Sequence, residues 1–244
     1  MIGLGTIVNV LAVIAGSVIG MVVKKGIPES MQKSVMKTLG VAVMFIGISG
    51  VLQEMIVIGE DGISMQGTML MIISLVIGTV IGELCKIETR LESLGDKLKR
   101  LKIFSGSNPH FTEGFVTSTL VVCIGAMAII GAFNDGLGLG PDILITKSIL
   151  DFISTMIFTS ALGAGVLCSF LPMGIYQGTL TVLARVVQPL VEGTTIISDL
   201  SLVGSVLIFC VGINLFAPKS VKVGNMLPAL LVPVIYSVIK ALIA

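Results

Sequence analysis

Long apolar runs separated by short polar segments dominate the chain. Each run has the roughly 17–25 residues that an α-helix needs to cross a bilayer. The pattern therefore predicts an all-α integral membrane protein with about eight transmembrane helices. The predicted spans are Ile2–Val23, Val35–Leu52, Thr68–Leu84, Phe115–Phe133, Leu144–Phe170, Met173–Leu190, Leu200–Ala217 and Asn225–Ile243. The first run is too long for a signal-peptide core and is predicted to be a retained span.

Composition agrees with a membrane protein and excludes one class of partner. The 244 residues are 55% hydrophobic and 12% charged, and the mean hydropathy is +1.09. A soluble domain carries about a quarter charged residues. The net charge is +1, so the sequence offers no basic surface for nucleic acid. The expected partners are the lipid bilayer and a small-molecule or ion substrate.

The charges of the loops predict an orientation. Twelve of the 15 basic residues lie in or beside the loops that follow the first, third and seventh spans. Because basic loops stay in the cytoplasm, both termini are predicted to lie outside it. The loop 85–112 also contains an apolar stripe at helical spacing, from Lys86 to Phe104. This stripe predicts an amphipathic helix on the inner membrane surface.

The two ends of the chain resemble each other in order. The matched segments are Gly5–Val13 with Gly178–Val186, Gly40–Ile48 with Gly204–Ile213, and Met69–Ile81 with Met226–Ile239. Spans one to three thus correspond to spans six to eight. An offset of five spans reverses the direction of a helix, so the pattern predicts an inverted-topology repeat, an architecture of many secondary transporters. The single membrane domain then divides into repeat one (1–84), the cytoplasmic loop (85–112), a central span pair (113–171) and repeat two (172–244).

Small residues at four-residue spacing mark two of the predicted spans. Gly16 and Gly20 lie in the first, and Gly78 and Gly82 lie in the third. Such stripes let helix backbones approach closely, within one chain or between two copies. They permit a homodimer without requiring one.

Strongly polar residues share one level in the outer half of the predicted bilayer. Asp151 lies about seven residues inside the fifth span, roughly 10 Å deep, with Arg185 and Asn9 at similar depths. Either Arg185 or Lys147, one turn before Asp151, is a candidate partner for the carboxylate. The group is predicted to be either a structural salt bridge or part of a substrate path. In a substrate path, the surplus cation would attract an anion, or Asp151 would exchange a proton.

Two segments between spans are predicted to depart from helix. "FNDGLGLGPD" (Phe133–Asp142) is rich in glycine and places Asn134 and Asp135 at the membrane edge. "FLPMGIYQGT" (Phe170–Thr179) carries no charge and is either a re-entrant break, with Gln177 lining a cavity, or a tight apolar turn.

The sequence contains no pattern typical of an enzyme or a metal site. Its four cysteines are isolated among apolar residues, and its one histidine, His110, falls in a predicted cytoplasmic loop. Neither HExxH nor GxSxG occurs. We therefore expect no catalytic activity, no metal and no cofactor.

Several motifs together resemble the YqgA/YdfK-like family of bacterial membrane proteins, a domain of unknown function. They are "GTIVN", "EGFVTSTLVVCIGAMAIIGAFNDGL", "TKSILDFIS", "LPMGIYQGTLT" and "NMLPALL". The resemblance covers essentially the whole chain, with residues 113–181 its most specific part. It implies a multi-spanning bacterial membrane protein associated with transport, without a settled substrate. It also implies that Asn9, Asn134, Asp135, Lys147, Asp151 and Gln177 occupy motif positions, whereas Arg185 has no counterpart in the family pattern.

The favoured hypothesis is a secondary transporter of the bacterial inner membrane. It would move a small polar or anionic solute, or an ion, by alternating access at a site near Asp151. A channel is the first alternative and needs no titrating group. The second is a membrane scaffold or sensor that transports nothing and works through its amphipathic helix.

Overall fold

The computed structural model describes residues 2–24, 28–59, 62–100, 110–124, 126–191 and 195–243. In these ranges the chain is almost entirely helical, which confirms the predicted all-α class. The elements are α1 (Leu4–Lys24), α2 (Glu29–Met55), β1 (Ile56–Gly59), β2 (Gly62–Met65), α3 (Thr68–Cys85), α4 (Ile87–Lys99), α5 (Phe111–Cys123), α6 (Ala126–Leu137), α7 (Asp142–Leu162), a 3-10 helix (Ala164–Ser169), α8 (Phe170–Val191), α9 (Ile196–Phe216), α10 (Val223–Met226), a second 3-10 helix (Leu227–Leu230) and α11 (Leu231–Ile243).

Six segments of the described chain are long and apolar enough to cross a membrane. They are Leu4–Val23, Lys33–Met55, Thr68–Cys85, Asp142–Leu162, Ala164–Ala184 and Ile196–Phe216. The number rises to seven if α5 and α6, whose axes differ by 58°, are counted together as one bent span. The sequence has Gly125 at this break, a residue of low helix propensity that lies outside the described ranges. The last predicted span is also divided, because Pro228 and Pro233 lack the amide hydrogen that a regular helix requires.

Two predictions about irregular segments are wrong. Residues 170–179 are neither a re-entrant break nor a tight turn, because α8 begins at Phe170 and continues to Val191. The interruption lies earlier: Gly163, with φ of 89°, ends α7 and is followed by the 3-10 helix. Asn134 and Asp135 likewise lie within α6, and the irregular loop begins after Leu137.

The described chain forms two compact units. The first unit comprises Met1–Thr38, Thr89–Cys123 and Met127–Val187. The second unit comprises Leu39–Glu88, Ile124–Ala126 and Gln188–Ala244.

Within the first unit, α1 lies parallel to α7 and antiparallel to α8. Gly16 and Gly20 of α1 face successive turns of α7, where a methyl group would overlap the carbonyl oxygens of Phe152 and Met156. These glycines are thus used for packing inside the chain, and the homodimer stays a prediction. Antiparallel contact with α8 follows from paired side chains that run in opposite directions, Thr6 with Thr181 and then Asn9 with Gln177.

The predicted amphipathic helix is present as α4 in the first unit. It ends at Lys99 rather than Phe104, and residues 101–109 lie outside the described ranges. A methyl group at Gly95 would lie 3.1 Å from Phe115, and Leu98 packs against the cluster of Phe111, Phe115 and Cys168. Part of the apolar face of α4 therefore covers α5. Its contact with the membrane surface stays a prediction.

Within the second unit, α2 packs antiparallel to α9, and α3 packs antiparallel to the segment from α10 to α11. Three pairs show the first direction: Gly40 with Gly212, Gly47 with Phe209, and Gly50 with Ser205. Two pairs show the second: Gly78 with Ala229, and Gly82 with Asn225. The glycines allow these backbones to touch.

A two-stranded hairpin joins α2 to α3, which the sequence analysis did not anticipate. Ile56 pairs with Met65, and Gly59 pairs with Gly62 at the turn. The signal was present, since β-branched residues flank an Asp-Gly dipeptide in "IVIGEDGISM". The long apolar runs on either side predict helices, and the strands occupy the short segment between them.

Candidate functional site

The buried face of α7 carries a row of polar side chains. Lys147, Asp151, Thr155 and Thr159 follow one another at four-residue spacing, so they share one side of the helix. All four are buried. The row extends about 18 Å along the helix axis, at 1.5 Å per residue. A helix inside a membrane protein keeps such a row only where neighbouring groups satisfy it.

Asn9 of α1 lies directly opposite Asp151. The close approach of α1 and α7 sets this register, because Gly16 and Gly20 allow the two backbones to touch. The Asn9 side-chain nitrogen Nδ2 donates a hydrogen bond to Asp151 Oδ2 at 3.0 Å. A second hydrogen of the same amide faces Gln177 of α8, where Oε1 accepts at 3.1 Å. Three helices thus meet at one buried amide.

Lys147 supplies the positive charge of this group. Its Nζ contacts Asp151 Oδ2, and both residues are 6% exposed. Burying two charges is costly, and their attraction offsets that cost when both partners remain in place. The pairing predicted between adjacent turns of one helix is therefore present. We call Asn9, Lys147, Asp151 and Gln177 the polar cluster.

Two atoms of the polar cluster have no hydrogen-bond partner among the described residues: Asn9 Oδ1 and Gln177 Nε2. Both residues are 0% exposed. Rotating either amide by half a turn does not help. A reversed Asn9 would point its oxygen at the Asp151 carboxylate, and a reversed Gln177 would point its nitrogen at the Asn9 nitrogen. One acceptor and one donor are thus left open.

An apolar layer lies beside the polar cluster. Val13, Val122 and Met173 form it, and all three are 0% exposed. Val13 is one turn beyond Asn9 in α1, and Met173 is one turn before Gln177 in α8. The cluster is therefore bounded on this side by close-packed side chains.

Asp135 occupies a different place, at the beginning of α1. Its Oδ1 accepts from the Gly3 amide at 3.2 Å, and its Oδ2 accepts from the amides of Gly5 (2.9 Å) and Thr6 (3.4 Å). These amides are among those that a helix start leaves without intrahelical partners. A carboxylate there is also favoured by the helix dipole. Asp135 therefore fixes α1, and with it the position of Asn9 one turn further on.

Besides Asp135, two further predicted site residues are not brought into the polar cluster by the described contacts. Asn134 is half-buried on α6, where its backbone carbonyl accepts from the Leu139 amide at 2.9 Å. Arg185 belongs to α8, but its side chain lies outside the described part of the structure. Its pairing with Asp151 stays a prediction.

Sequence reasoning missed Thr6 and Thr181, whose hydroxyls are 3.1 Å apart between α1 and α8. Four-residue spacing was the available signal, since Thr181 follows Gln177 by one helical turn. A second buried hydroxyl pair, Ser118 with Ser169 at 2.8 Å, joins α5 to the 3-10 helix.

Apolar helices of membrane-spanning length and a buried polar cluster are typical of a helical membrane protein. The chain belongs to the family described as "Protein of unknown function (DUF554)", which matches residues 4–238. The resemblance found in the motifs is thereby confirmed.

Two relatives match along nearly their whole length. The "Uncharacterized membrane protein YdfK" of Bacillus subtilis (strain 168) is 33% identical over 229 residues, which cover 94% of this chain and 93% of the relative. The "Uncharacterized protein YqgA" of Escherichia coli (strain K12) is 32% identical over 231 residues, 93% of each. No solved structure matches the chain significantly.

Proposed function

We propose that the protein is a secondary transporter of the bacterial inner membrane that moves a small polar solute or ion by alternating access. The observation that carries the proposal is the open acceptor and donor of the polar cluster, both fully buried beside a charged pair. An unpaired polar atom costs about 1–3 kcal/mol when it is buried. A site that binds and releases a solute has a reason to bear that cost, because the solute completes the bonds.

The packing of the helices supports an inverted repeat with eight crossings. The sequence matches relate α1 to α8, α2 to α9, and α3 to the segment from α10 to α11. Within each pair the helices pack antiparallel, as opposite orientation in the membrane requires. In this arrangement the segment from α10 to α11 is the eighth crossing, divided by its prolines. Divided helices and inverted repeats recur in secondary transporters.

The position of the polar cluster also suits alternating access. Asn9 and Gln177 come from α1 and α8, the first helices of the two proposed repeats, while α7 brings the charged pair. Rocking of one repeat against the other changes the contact between α1 and α8. In the proposed cycle, the apolar layer of Val13, Val122 and Met173, which borders the cluster on one side, closes the path on that side.

Uptake into proteoliposomes tests the proposal. Purified protein is reconstituted, and accumulation of small solutes and ions is measured under an imposed proton or sodium gradient. We expect at least one solute to accumulate above its equilibrium level, and Asp151→Asn to abolish this. Asp142→Asn is the matched control, because Asp142 is an exposed carboxylate in the first turn of the same helix.

Two results would contradict a transporter. Flux that only equilibrates the solute and does not saturate would indicate a channel. Equal uptake by wild type, Asp151→Asn and protein-free vesicles would leave a scaffold or sensor as the better account.

A further inference from the structure

The described charges of the polar cluster do not favour an anion. Lys147 contacts Asp151, so the positive charge is already compensated. Asp135 of α6, whose carboxylate lies at the beginning of α1, is held by three backbone amides. The surplus of positive charge expected from the sequence depended on Arg185, whose side chain lies outside the described part of the structure.

What the polar cluster offers instead is a neutral pair of hydrogen-bonding groups. Asn9 Oδ1 is an acceptor and Gln177 Nε2 is a donor. The two amides are joined at one edge by the bond from Asn9 Nδ2 to Gln177 Oε1, so their open atoms belong to one bonded unit. An anion would satisfy Nε2 and leave Oδ1 facing a negative charge. A cation would do the reverse.

The same face of α7 continues with hydroxyl groups. Thr155 and Thr159 lie one and two turns beyond Asp151 and face Gly16 and Gly20 of α1. Thr155 donates to the Asp151 carbonyl at 2.7 Å, whereas Thr159 Oγ1 has no hydrogen-bond partner among the described residues. A hydroxyl both donates and accepts, so it suits an uncharged polar solute better than an ion of either sign.

We propose that the polar cluster binds a small uncharged solute that both donates and accepts hydrogen bonds, with the primary amides, including urea, as the best complement. Such an amide places its N–H toward Asn9 Oδ1 and its C=O toward Gln177 Nε2. Both bonds are formed without separating Lys147 from Asp151. The proposal rests on the transport function, since it names the substrate class of the same site.

Three planar molecules of similar size and shape distinguish the possibilities. Urea carries donors and an acceptor, guanidinium carries donors and a positive charge, and nitrate carries acceptors and a negative charge. Flux of each into proteoliposomes is followed by light scattering after rapid mixing at equal osmolarity, with a permeant counter-ion for the two ions. Protein-free vesicles give the background.

We expect urea to enter faster than background, and guanidinium and nitrate to remain at background. Gln177→Met keeps the shape of the side chain and removes both the donor Nε2 and the oxygen Oε1 that accepts from Asn9. Loss of the bond from Nε2 to the solute should slow urea entry by about tenfold. Thr6→Val is the matched control. It removes a bond between the same two helices whose partner, Thr181, is not part of the cluster, and it should change entry less than twofold. Thermal unfolding of each purified variant establishes that it is folded.

Each other outcome contradicts a definite part of the account. Entry of nitrate or guanidinium ahead of urea overturns the neutral substrate class and leaves transport intact. Equal slowing by Gln177→Met and Thr6→Val assigns the effect to helix packing and overturns the role of the open atoms. If all three molecules stay at background, the proposed substrate class is wrong. The transport proposal fails as well only if uptake under an imposed gradient also equals that of protein-free vesicles.

Discussion

The charged pair of α7 makes a strong prediction about stability. Lys147 and Asp151 are each 6% exposed and contact one another one turn apart. Replacing Lys147 with methionine keeps much of its length and leaves the Asp151 carboxylate buried without its cation. Replacing Asp151 with asparagine leaves the Lys147 ammonium buried without its anion. The new amide still has an oxygen that can accept the hydrogen bond from Asn9.

Removing one partner of a buried ion pair costs about 3–5 kcal/mol, because the remaining charge is not compensated. For a chain of this size, each kcal/mol lowers Tm by about 2–4 °C. Each single variant should therefore melt about 6–20 °C below wild type. The double variant Lys147→Met/Asp151→Asn removes both charges and should lose about 2–4 °C, the cost of one weakened hydrogen bond.

Thermal unfolding in detergent, followed by the fluorescence of a thiol-reactive dye or by light scattering, measures all three variants. Lys222→Met is the control, since it breaks the exposed pair of Lys222 with Glu83, 2.9 Å apart, and should leave Tm close to wild type. The reasoning fails if Lys147→Met has the same Tm as the control Lys222→Met. It also fails if the double variant loses the sum of the two single effects, because no coupling would then exist.

Three further predictions concern the helices that build the site. Gly82→Ala should lower Tm by the equivalent of about 1–3 kcal/mol, because the added methyl group would overlap a carbonyl oxygen of α10. Gly178→Ala is the control and should not lower Tm, because a methyl group added there would meet no neighbouring element within 4 Å. Asp135→Ala should cost about 1–2 kcal/mol, read from the same melting curves, because three amides at the start of α1 lose their acceptor; an unchanged Tm would contradict that role. In a background without native cysteines, Thr6→Cys/Thr181→Cys should form a disulfide on oxidation, seen as a mobility shift after cleavage between the two positions, and should stop transport until it is reduced. Free thiols after oxidation would contradict the contact.

Sequence alone predicted the helical class and most of the polar cluster. Asp151 and Lys147 could be found because a carboxylate within a long apolar run is costly and an i, i+4 lysine is its nearest local partner. Asn9 could be placed at the same depth by counting residues. These inferences depend on spacing within one helix, which the sequence contains directly.

The register between helices could not be predicted in the same way. Gln177 meets Asn9 because α8 begins at Phe170 and includes Gln177 in its first turns. The proline and glycines at the start of α8 predicted an irregular segment in this place instead. Pro172 lies in the first turn of α8, where a proline costs no hydrogen bond, so the helix includes it. The helix break at Gly163 depends on the positive φ of this residue. The chain has many glycines, and the sequence does not show which of them adopts such a conformation.

Asp135 shows the same limit for a single side chain. Its place beside a glycine-rich loop suggested a group at the membrane edge. Its partners, the amides of Gly3, Gly5 and Thr6, lie about 130 residues away in sequence. No local pattern connects them, because the contact exists only once α6 and α1 have packed.

The most direct test of a solute site at Asp151 is the thermal stability of purified wild type and Asp151→Asn across a panel of small amides, amino acids, anions and alkali cations. A solute at 100 times its Kd stabilises the protein that binds it by about 2.7 kcal/mol, or about 5–10 °C here. The account predicts such a shift for wild type with at least one solute, and no shift for Asp151→Asn with the same solute. If Asp151→Asn melts far below wild type and no solute moves either curve, the polar cluster is a structural latch, and the claim of a solute site is wrong.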